Sequence, residues 1–188
     1  MIIKYNDFLY IFYSSFRMGI NYIDLDELWK LFCHGEVWYD FEKFITIPTW
    51  HRWLDKRIYP TGRGNEDSAH ATLKALIKNH LDKKQIKYYG PEIAFEGSYP
   101  DVLTKDLSLV FECGDTDPYK VLSYLSRKEV KRVSILPYPC EEGKWLYIHH
   151  FRRGKGFWKY IEEKQKELRE AHRKYHRGYR RQNEKKEK

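Results

Sequence analysis

The first 60 residues are rich in aromatic side chains, and their apolar positions recur mostly at helical spacing. Asp24 is placed to cap a helix that ends before Gly35. The predicted buried face of this helix consists of four apolar residues, Leu25, Leu28, Leu31 and Phe32. We expect a second helical stretch over Trp38 to Phe44 and a third, opened by Pro48, over residues 49–57. The N-terminal region is therefore predicted to be helical.

The basic third helix of this region has two interpretations. Three short helices that end in a basic one loosely resemble a helix-turn-helix, in which the last helix reads the major groove of DNA. The alternative is that Trp50 and Trp53, three residues apart, simply belong to the core. We favour the core interpretation because the pattern carries no specific DNA-binding signature.

After a flexible turn over Pro60 to Asn65, the pattern becomes regular. Apolar residues at helical spacing predict a helix over about residues 66–83, capped by Asn65 or Ser68. Strand-like runs follow, with one further helix that Pro118 introduces. These are the strands Glu92 to Glu96, Asp101 to Thr104 and Leu107 to Cys113, the helix Tyr119 to Arg127, and the strands Val130 to Leu136 and Lys144 to His150. The order α-β-β-β-α-β-β predicts an α/β fold with a mixed central sheet flanked by helices.

The positive charge of the chain is concentrated at its C-terminal end. The 188 residues include 35 Lys or Arg and 27 Asp or Glu, which gives a net charge of +8. Residues 152–188 alone carry +9. We therefore divide the chain into a helical, aromatic-rich N-terminal region (1–60), an α/β core (61–151) and a basic C-terminal helix or tail (152–188).

The basic tail also has two interpretations, which the sequence leaves open. A polyanion is a natural partner because neutralised phosphates release counterions. Alternatively, the tail is a solvated helix that confers solubility, since acidic side chains are interleaved at i,i+4 spacings. Those acidic residues are Glu162, Glu163, Glu167 and Glu170.

Composition excludes several classes of protein. No segment approaches the roughly 20 apolar residues that a membrane-spanning helix needs, and no signal peptide is expected from the first residues. Cys33, Cys113 and Cys140 are odd in number and far apart, so they fit neither a disulfide framework nor a zinc cluster. We therefore expect a cytoplasmic protein without a membrane partner.

Two acidic residues stand out in the core segment. Asp101 follows Pro100 at the start of one predicted strand, and Glu112 lies near the end of the next strand, among apolar residues. A carboxylate in the interior is costly unless it is paired or binds a metal. Two carboxylates on adjacent strands make an oxygen-rich site suited to Mg²⁺ or Mn²⁺. The alternative is a turn aspartate and an ion-paired strand glutamate.

Pro100-Asp101 and Glu112, in this order of elements, resemble the PD-(D/E)XK nuclease superfamily, which has the restriction-endonuclease-like fold. The resemblance runs from Glu66 to Leu136. It implies an α-β-β-β-α-β core and a metal-dependent nuclease that hydrolyses DNA phosphodiester bonds. It also implies that Asp101 and Glu112 bind Mg²⁺ or Mn²⁺.

The motif departs from the family at its last position. Gly114 replaces the lysine that in the family orients the attacking water and stabilises charge on the phosphate. Some family members carry that lysine on the following helix, where Lys120 is found here. The first helix of the family often supplies a further acid, so Glu66, Asp67 or His70 is expected to face the metal. Of these, Glu66 is our candidate catalytic residue.

The resemblance also implies DNA as the partner and a homodimer, because two sites are needed to cut two strands. Basic side chains at the start of the core segment and in the C-terminal segment are predicted to contact the DNA backbone: Arg63, Arg152, Arg153, Lys155, Arg173, Lys174, Arg177, Arg180 and Arg181. Two alternatives remain. One is a catalytically weak or inactive nuclease-like protein that binds DNA, and the other is a structural or regulatory protein with a polycationic interaction tail.

Overall fold

The structure is a computed structural model that describes residues 4–12, 22–46, 68–90, 92–95, 97–138, 145–167 and 170. Its elements are α1 (Tyr5–Phe12), α2 (Tyr22–Cys33), β1 (Val37–Thr46), α3 (Ser68–Lys83), β2 (Val102–Leu103), β3 (Leu109–Cys113), α4 (Pro118–Leu125), β4 (Arg132–Leu136) and β5 (Trp145–Arg153). A C-terminal helix, α5, covers residues 157–167. No helix among these described residues is long and apolar enough to cross a membrane.

The strands named above form one mixed sheet in the order β1-β5-β4-β3-β2. β3 and β4 are parallel, and α4 connects them as a crossover helix. The other neighbouring pairs are antiparallel. A parallel pair needs such a crossover because its strands start at the same end of the sheet. The prediction of an α/β fold with a mixed sheet is confirmed.

An apolar cluster covers each face of the sheet. Val110 packs with α1, α2 and α4, whereas its neighbour Phe111 packs with α3. Successive strand residues point to opposite faces, so α3 covers one face (the α3 face) and α4 covers the other (the α4 face). The predicted apolar side of α3 is buried at Leu73, Leu76, Ile77 and Leu81.

The prediction of a helix over Trp38 to Phe44 is wrong, because these residues belong to β1 and pair with β5 from Val37↔Arg153 to Thr46↔Trp145. Aromatic and β-branched residues favour strands when a partner strand is present. The side chains alternate accordingly, since Tyr39 packs against the core and Trp38 is 59% exposed. The N-terminal region therefore adds an edge strand to the core sheet. The predicted helix over 49–57 lies outside the described residues.

The prediction of a strand over Glu92 to Glu96 is also wrong. Residues 92–95 form no strand, and Phe95 makes only an isolated bridge to Ser98. An earlier segment runs beside β2 instead, since Tyr88 bridges Thr104 and the Tyr89 N–H donates to the Leu103 carbonyl at 2.9 Å. Gly90-Pro91 separates the two segments, and proline has no N–H to donate to a strand ladder.

Two other predictions need small corrections. α2 begins at Tyr22, so Asp24 lies in its first turn and not at its cap. α4 begins at Pro118, as predicted, but ends at Leu125 and not at Arg127. Asp117 caps this helix, and its Oδ1 accepts from the Tyr119 N–H at 2.9 Å. The start of α4 is thus fixed close to the end of β3.

Candidate active site

Asp101 and Glu112 occupy neighbouring positions on the β2–β3 pair. Val102 pairs with Phe111 in an antiparallel register, so the residue before Val102 comes opposite the residue after Phe111. The Asp101 carboxylate also accepts a hydrogen bond from the Cys113 N–H, at 2.6 Å from Oδ2. This bond holds Asp101 against the end of β3.

Glu112 is buried, with 3% of its surface exposed. Its Oε1 accepts a hydrogen bond from the Tyr124 hydroxyl at 2.8 Å, and its Oε2 accepts one from the Lys120 ammonium at 2.7 Å. Both partners belong to α4. Burial raises the pKa of Glu112 to about 7, Lys120 opposes this rise, and the negative charge of Asp101 adds to it. The carboxylates of Asp101 and Glu112 therefore repel each other when both are ionised.

Asp101 is held from the other face of the sheet. Its Oδ1 lies 2.8 Å from Nε2 of His70, in the first turns of α3. Because an ionised carboxylate only accepts hydrogen bonds, Nε2 carries the proton in this pair. The hydroxyl of Tyr138 lies 3.5 Å from the other ring nitrogen, Nδ1. The acid pair therefore lies between α3 and α4 at the carboxyl end of β3.

Asp101 and Glu112 are two potential oxygen ligands for a hard divalent cation. Within the described ranges, no group of three or more His, Cys, Asp or Glu side chains lies close enough together to bind a metal. Mg²⁺ commonly binds through one or two carboxylates and keeps several waters. Two carboxylates that repel each other match this requirement, since a cation near both relieves the repulsion. Glu66 and Asp67 lie outside the described residues.

Lys120 reaches from α4 back to the end of β3, as the helix position predicts. Its side chain is 30% exposed, so the ammonium contacts Glu112 on one side and solvent on the other. This ammonium is the cation that faces the acid pair from α4. Lys120 projects from α4, whereas the lysine of the family motif would lie at position 114, two residues after Glu112.

The structure gives a steric reason for the absence of that lysine. Gly114 has a φ of +76°, and a Cβ built on it would lie 2.5 Å from the ring of Tyr138. The Gly114 N–H donates to the Leu136 carbonyl at 2.8 Å, which fixes this turn against β4. The Tyr138 ring thus fills the space into which a side chain at position 114 would project. Sequence reasoning missed Tyr138 because it comes from a separate element, after β4.

Replacing Gly114 with lysine to restore the family motif should destabilise the fold. The left-handed backbone costs about 1–2 kcal/mol for a residue with a Cβ, and the contact with Tyr138 adds to this cost. We expect the free energy of unfolding in urea to fall by about 2–3 kcal/mol. Combining the change with Tyr138→Ala should remove part of the loss, which a double-mutant cycle measures. Fully additive effects would contradict a clash at this position.

The basic residues predicted to bind DNA fall into two groups. Arg152 pairs with Asp40 on the α3 face. The Arg153 guanidinium donates to the carbonyls of Leu125 and Arg127, at 2.9 and 2.7 Å, so it ties the end of β5 to the end of α4. Lys155 is exposed in the turn before α5. The remaining ones, Arg63, Arg173, Lys174, Arg177, Arg180 and Arg181, lie outside the described residues. Their contacts with DNA stay predictions.

The described residues thus bring together two acids, an ammonium and an imidazole where β3 ends. Carboxylates supply oxygen ligands for a divalent ion, and an ammonium stabilises negative charge on a phosphate. A buried carboxyl whose pKa is raised by its surroundings is typical of functional sites. Comparisons of the chain with protein-family models, curated proteins and solved structures find no match.

Proposed function

We propose that the protein is a metal-dependent nuclease that hydrolyses DNA phosphodiester bonds. One observation carries the proposal: buried Glu112 lies beside Asp101 at the end of β3, with the Lys120 ammonium 2.7 Å from its Oε2. The proposed fold is the restriction-endonuclease-like core. Its order α-β-β-β-α-β would be supplied by α3, residues 87–89, β2, β3, α4 and β4.

The position of Glu112 supports a functional role. Burying an ionised carboxylate is unfavourable, and a neutral side chain of similar size would avoid the cost. Here the cost is increased by Asp101, a second acid held nearby by the Cys113 N–H. An arrangement that keeps two like charges together at the open end of a strand favours a cation between them.

In this proposal, Asp101 and Glu112 hold Mg²⁺ or Mn²⁺. When bound, such an ion lowers the pKa of a coordinated water and neutralises charge on the phosphate. Lys120 takes the place of the missing motif lysine and binds the phosphate oxygens through its ammonium. His70 orients Asp101 through the hydrogen bond at 2.8 Å. The basic C-terminal segment binds the phosphate backbone of the nucleic acid.

Cleavage of supercoiled plasmid tests the assigned role of Lys120. We expect the wild-type protein to nick plasmid with Mg²⁺ or Mn²⁺ and to stop when the ion is chelated. Lys120→Met should cleave about 100-fold more slowly, because removing one charge-stabilising donor typically costs this much. Lys105→Met, which changes an exposed turn lysine, is the matched control. Equal rates for both variants would remove Lys120 from the mechanism.

A second candidate is a nuclease-like protein that binds DNA without cutting it. Two observations favour it: both oxygens of Glu112 already have hydrogen-bond partners, and Tyr138 fills the space beside Gly114. This candidate predicts salt-sensitive retardation of DNA by wild type with no cleavage in either ion. Absence of DNA binding would instead favour an interaction protein with a polycationic tail. We also propose that the protein is a homodimer, since cutting both strands of DNA requires two sites. Analytical sedimentation measures this oligomeric state.

A further inference from the structure

A second cluster of charged side chains lies on the α3 face, near the start of β4. Ser134 pairs in register with His150 of β5, and Arg132 lies on the same face two residues earlier. α3 adds His80, whose ring packs on Phe44 at 5.1 Å. Lys84 follows at the end of α3 and interacts electrostatically with both histidines. We call Arg132, His150, His80 and Lys84 the basic cluster.

Two buried nitrogens of the basic cluster have no hydrogen-bond partner. His150 is 5% exposed, and its Nδ1 lies 2.9 Å from the Ser134 hydroxyl, whereas its Nε2 makes no hydrogen bond within 3.5 Å and has Glu42 Oε1 at 3.6 Å. The Nε of Arg132 is buried and unpaired as well. The free-energy cost of leaving a buried polar nitrogen without a partner is larger than the stabilisation that one typical hydrogen bond provides. Two such nitrogens in one cluster are hydrogen-bond donors that a bound ligand could use.

The electrostatics of the cluster favour an anion over a cation. Burial and, secondarily, the nearby positive charge of Arg132 lower the pKa of His150 to about 4. The pKa of His80 is lowered by burial and by Lys84, with Arg132 acting in the same direction. Glu42 is the opposing acid: its Oε1 lies 3.6 Å from His150 Nε2, and its negative charge acts to raise the pKa of that imidazole. Its side chain is 56% exposed.

We propose that the basic cluster binds a tetrahedral phosphate-class oxyanion, with Arg132 Nε and His150 Nε2 donating to its oxygens. A phosphate offers several acceptors to convergent donors, and an arginine beside a second donor is a common way to bind it. Lys84 adds positive potential beside the His80 ring. The ligand chemistry is the same for free phosphate and for a phosphodiester of a nucleic acid. This site is separate from the proposed cleavage site. His80 and His70 lie at opposite ends of α3, about 15 Å apart at 1.5 Å per residue.

Thermal unfolding in inorganic phosphate tests this proposal. A ligand that binds only the folded state raises Tm by mass action. We expect phosphate to raise Tm saturably relative to chloride at equal ionic strength, and the rise to disappear in Arg132→Gln. Glu42→Gln, an exposed change that removes the opposing charge, should tighten phosphate binding about fivefold. Glu162→Gln, on the exposed side of α5, is the matched control and should leave binding unchanged.

If Arg132→Gln fails to fold, Glu42→Gln still tests the proposal. No saturable phosphate effect in the wild type, or identical binding in Glu42→Gln and Glu162→Gln, would overturn the proposal. Competition with a short single-stranded oligonucleotide lacking terminal phosphates then identifies the source. Displacement of phosphate indicates a backbone phosphodiester, whereas persistence of phosphate binding indicates free phosphate or a phosphomonoester. If the proposal is correct, the His150 ring resonances shift when phosphate is added, and the midpoint phosphate concentration is the same as for the rise in Tm.

Discussion

Asp101→Asn and Glu112→Gln should each abolish metal-dependent plasmid cleavage. Both changes remove a negative charge that is proposed to hold the ion, while preserving the size of the side chain and one of its two accepting oxygens. A bound metal contributes several kcal/mol to stabilising charge at the reacting phosphate. We therefore expect rates to fall about 10²–10⁴-fold, at tenfold for every 1.4 kcal/mol. Initial rates of nicking in Mg²⁺ and in Mn²⁺ measure the effect.

DNA retardation at several salt concentrations provides the control for these two variants. The charge proposed to bind the DNA backbone belongs to the C-terminal segment, and neither variant changes a residue of that segment. Binding should thus be retained, and Glu129→Gln, which removes an exposed acid from the loop after α4, should cleave like wild type. Cleavage at the wild-type rate in either acid variant would mean that the pair is a structural feature of the β2–β3 end.

Stability should depend on pH through Glu112. Its pKa in the folded protein, about 7, lies above the ordinary value of 4.5 because the carboxyl is buried. The unfolded chain therefore loses this proton at lower pH than the folded one, so the stability from this group is complete below pH 4.5 and is lost as pH rises through 7. At about 1.4 kcal/mol for each pKa unit, the loss is about 3 kcal/mol.

Glu112→Gln isolates this contribution, because an amide stays neutral at every pH. Urea unfolding in the presence of a chelator should show the variant gaining about 3 kcal/mol relative to wild type between pH 4.5 and pH 8.5. His149 and His150, whose pKa values burial lowers to about 4, oppose folding in acid. They are present in both proteins and cancel in the comparison. A constant difference between variant and wild type would show that Glu112 is not held in a pKa-raising environment.

Apolar periodicity was sufficient to predict the elements that pack locally. α3 was predictable because Leu73, Leu76, Ile77 and Leu81 form one buried stripe. β1 was not, because its strand conformation depends on pairing with β5 more than 100 residues later. Aromatic residues in the stretch Trp38 to Phe44 are compatible with a helix until that partner is known. The break at Gly90-Pro91, in contrast, is a local signal that argues against a strand over Glu92 to Glu96.

The acid pair and Lys120 were predictable from spacing and from the order of elements. The groups that surround them come from separate parts of the chain, so the sequence gives no direct sign of their contacts. His70 comes from α3, and Tyr138 follows β4. Tyr124 had a usable signal, since it lies four residues after Lys120 on the same helix and therefore on the same side. The opposite placement of His149 and His150 follows from strand alternation, and the first contacts Tyr39 while the second contacts Ser134.

Binding of Mn²⁺ to the metal-free protein, measured by calorimetry and by electron paramagnetic resonance, tests the assignment of the acid pair without requiring DNA or turnover. We predict one saturable ion per chain in the wild type, with binding lost or weakened at least about tenfold in both Asp101→Asn and Glu112→Gln. Glu129→Gln should bind as wild type does. Binding that is equally strong in all four proteins, or absent from the wild type, would contradict a divalent-ion site at the end of β3.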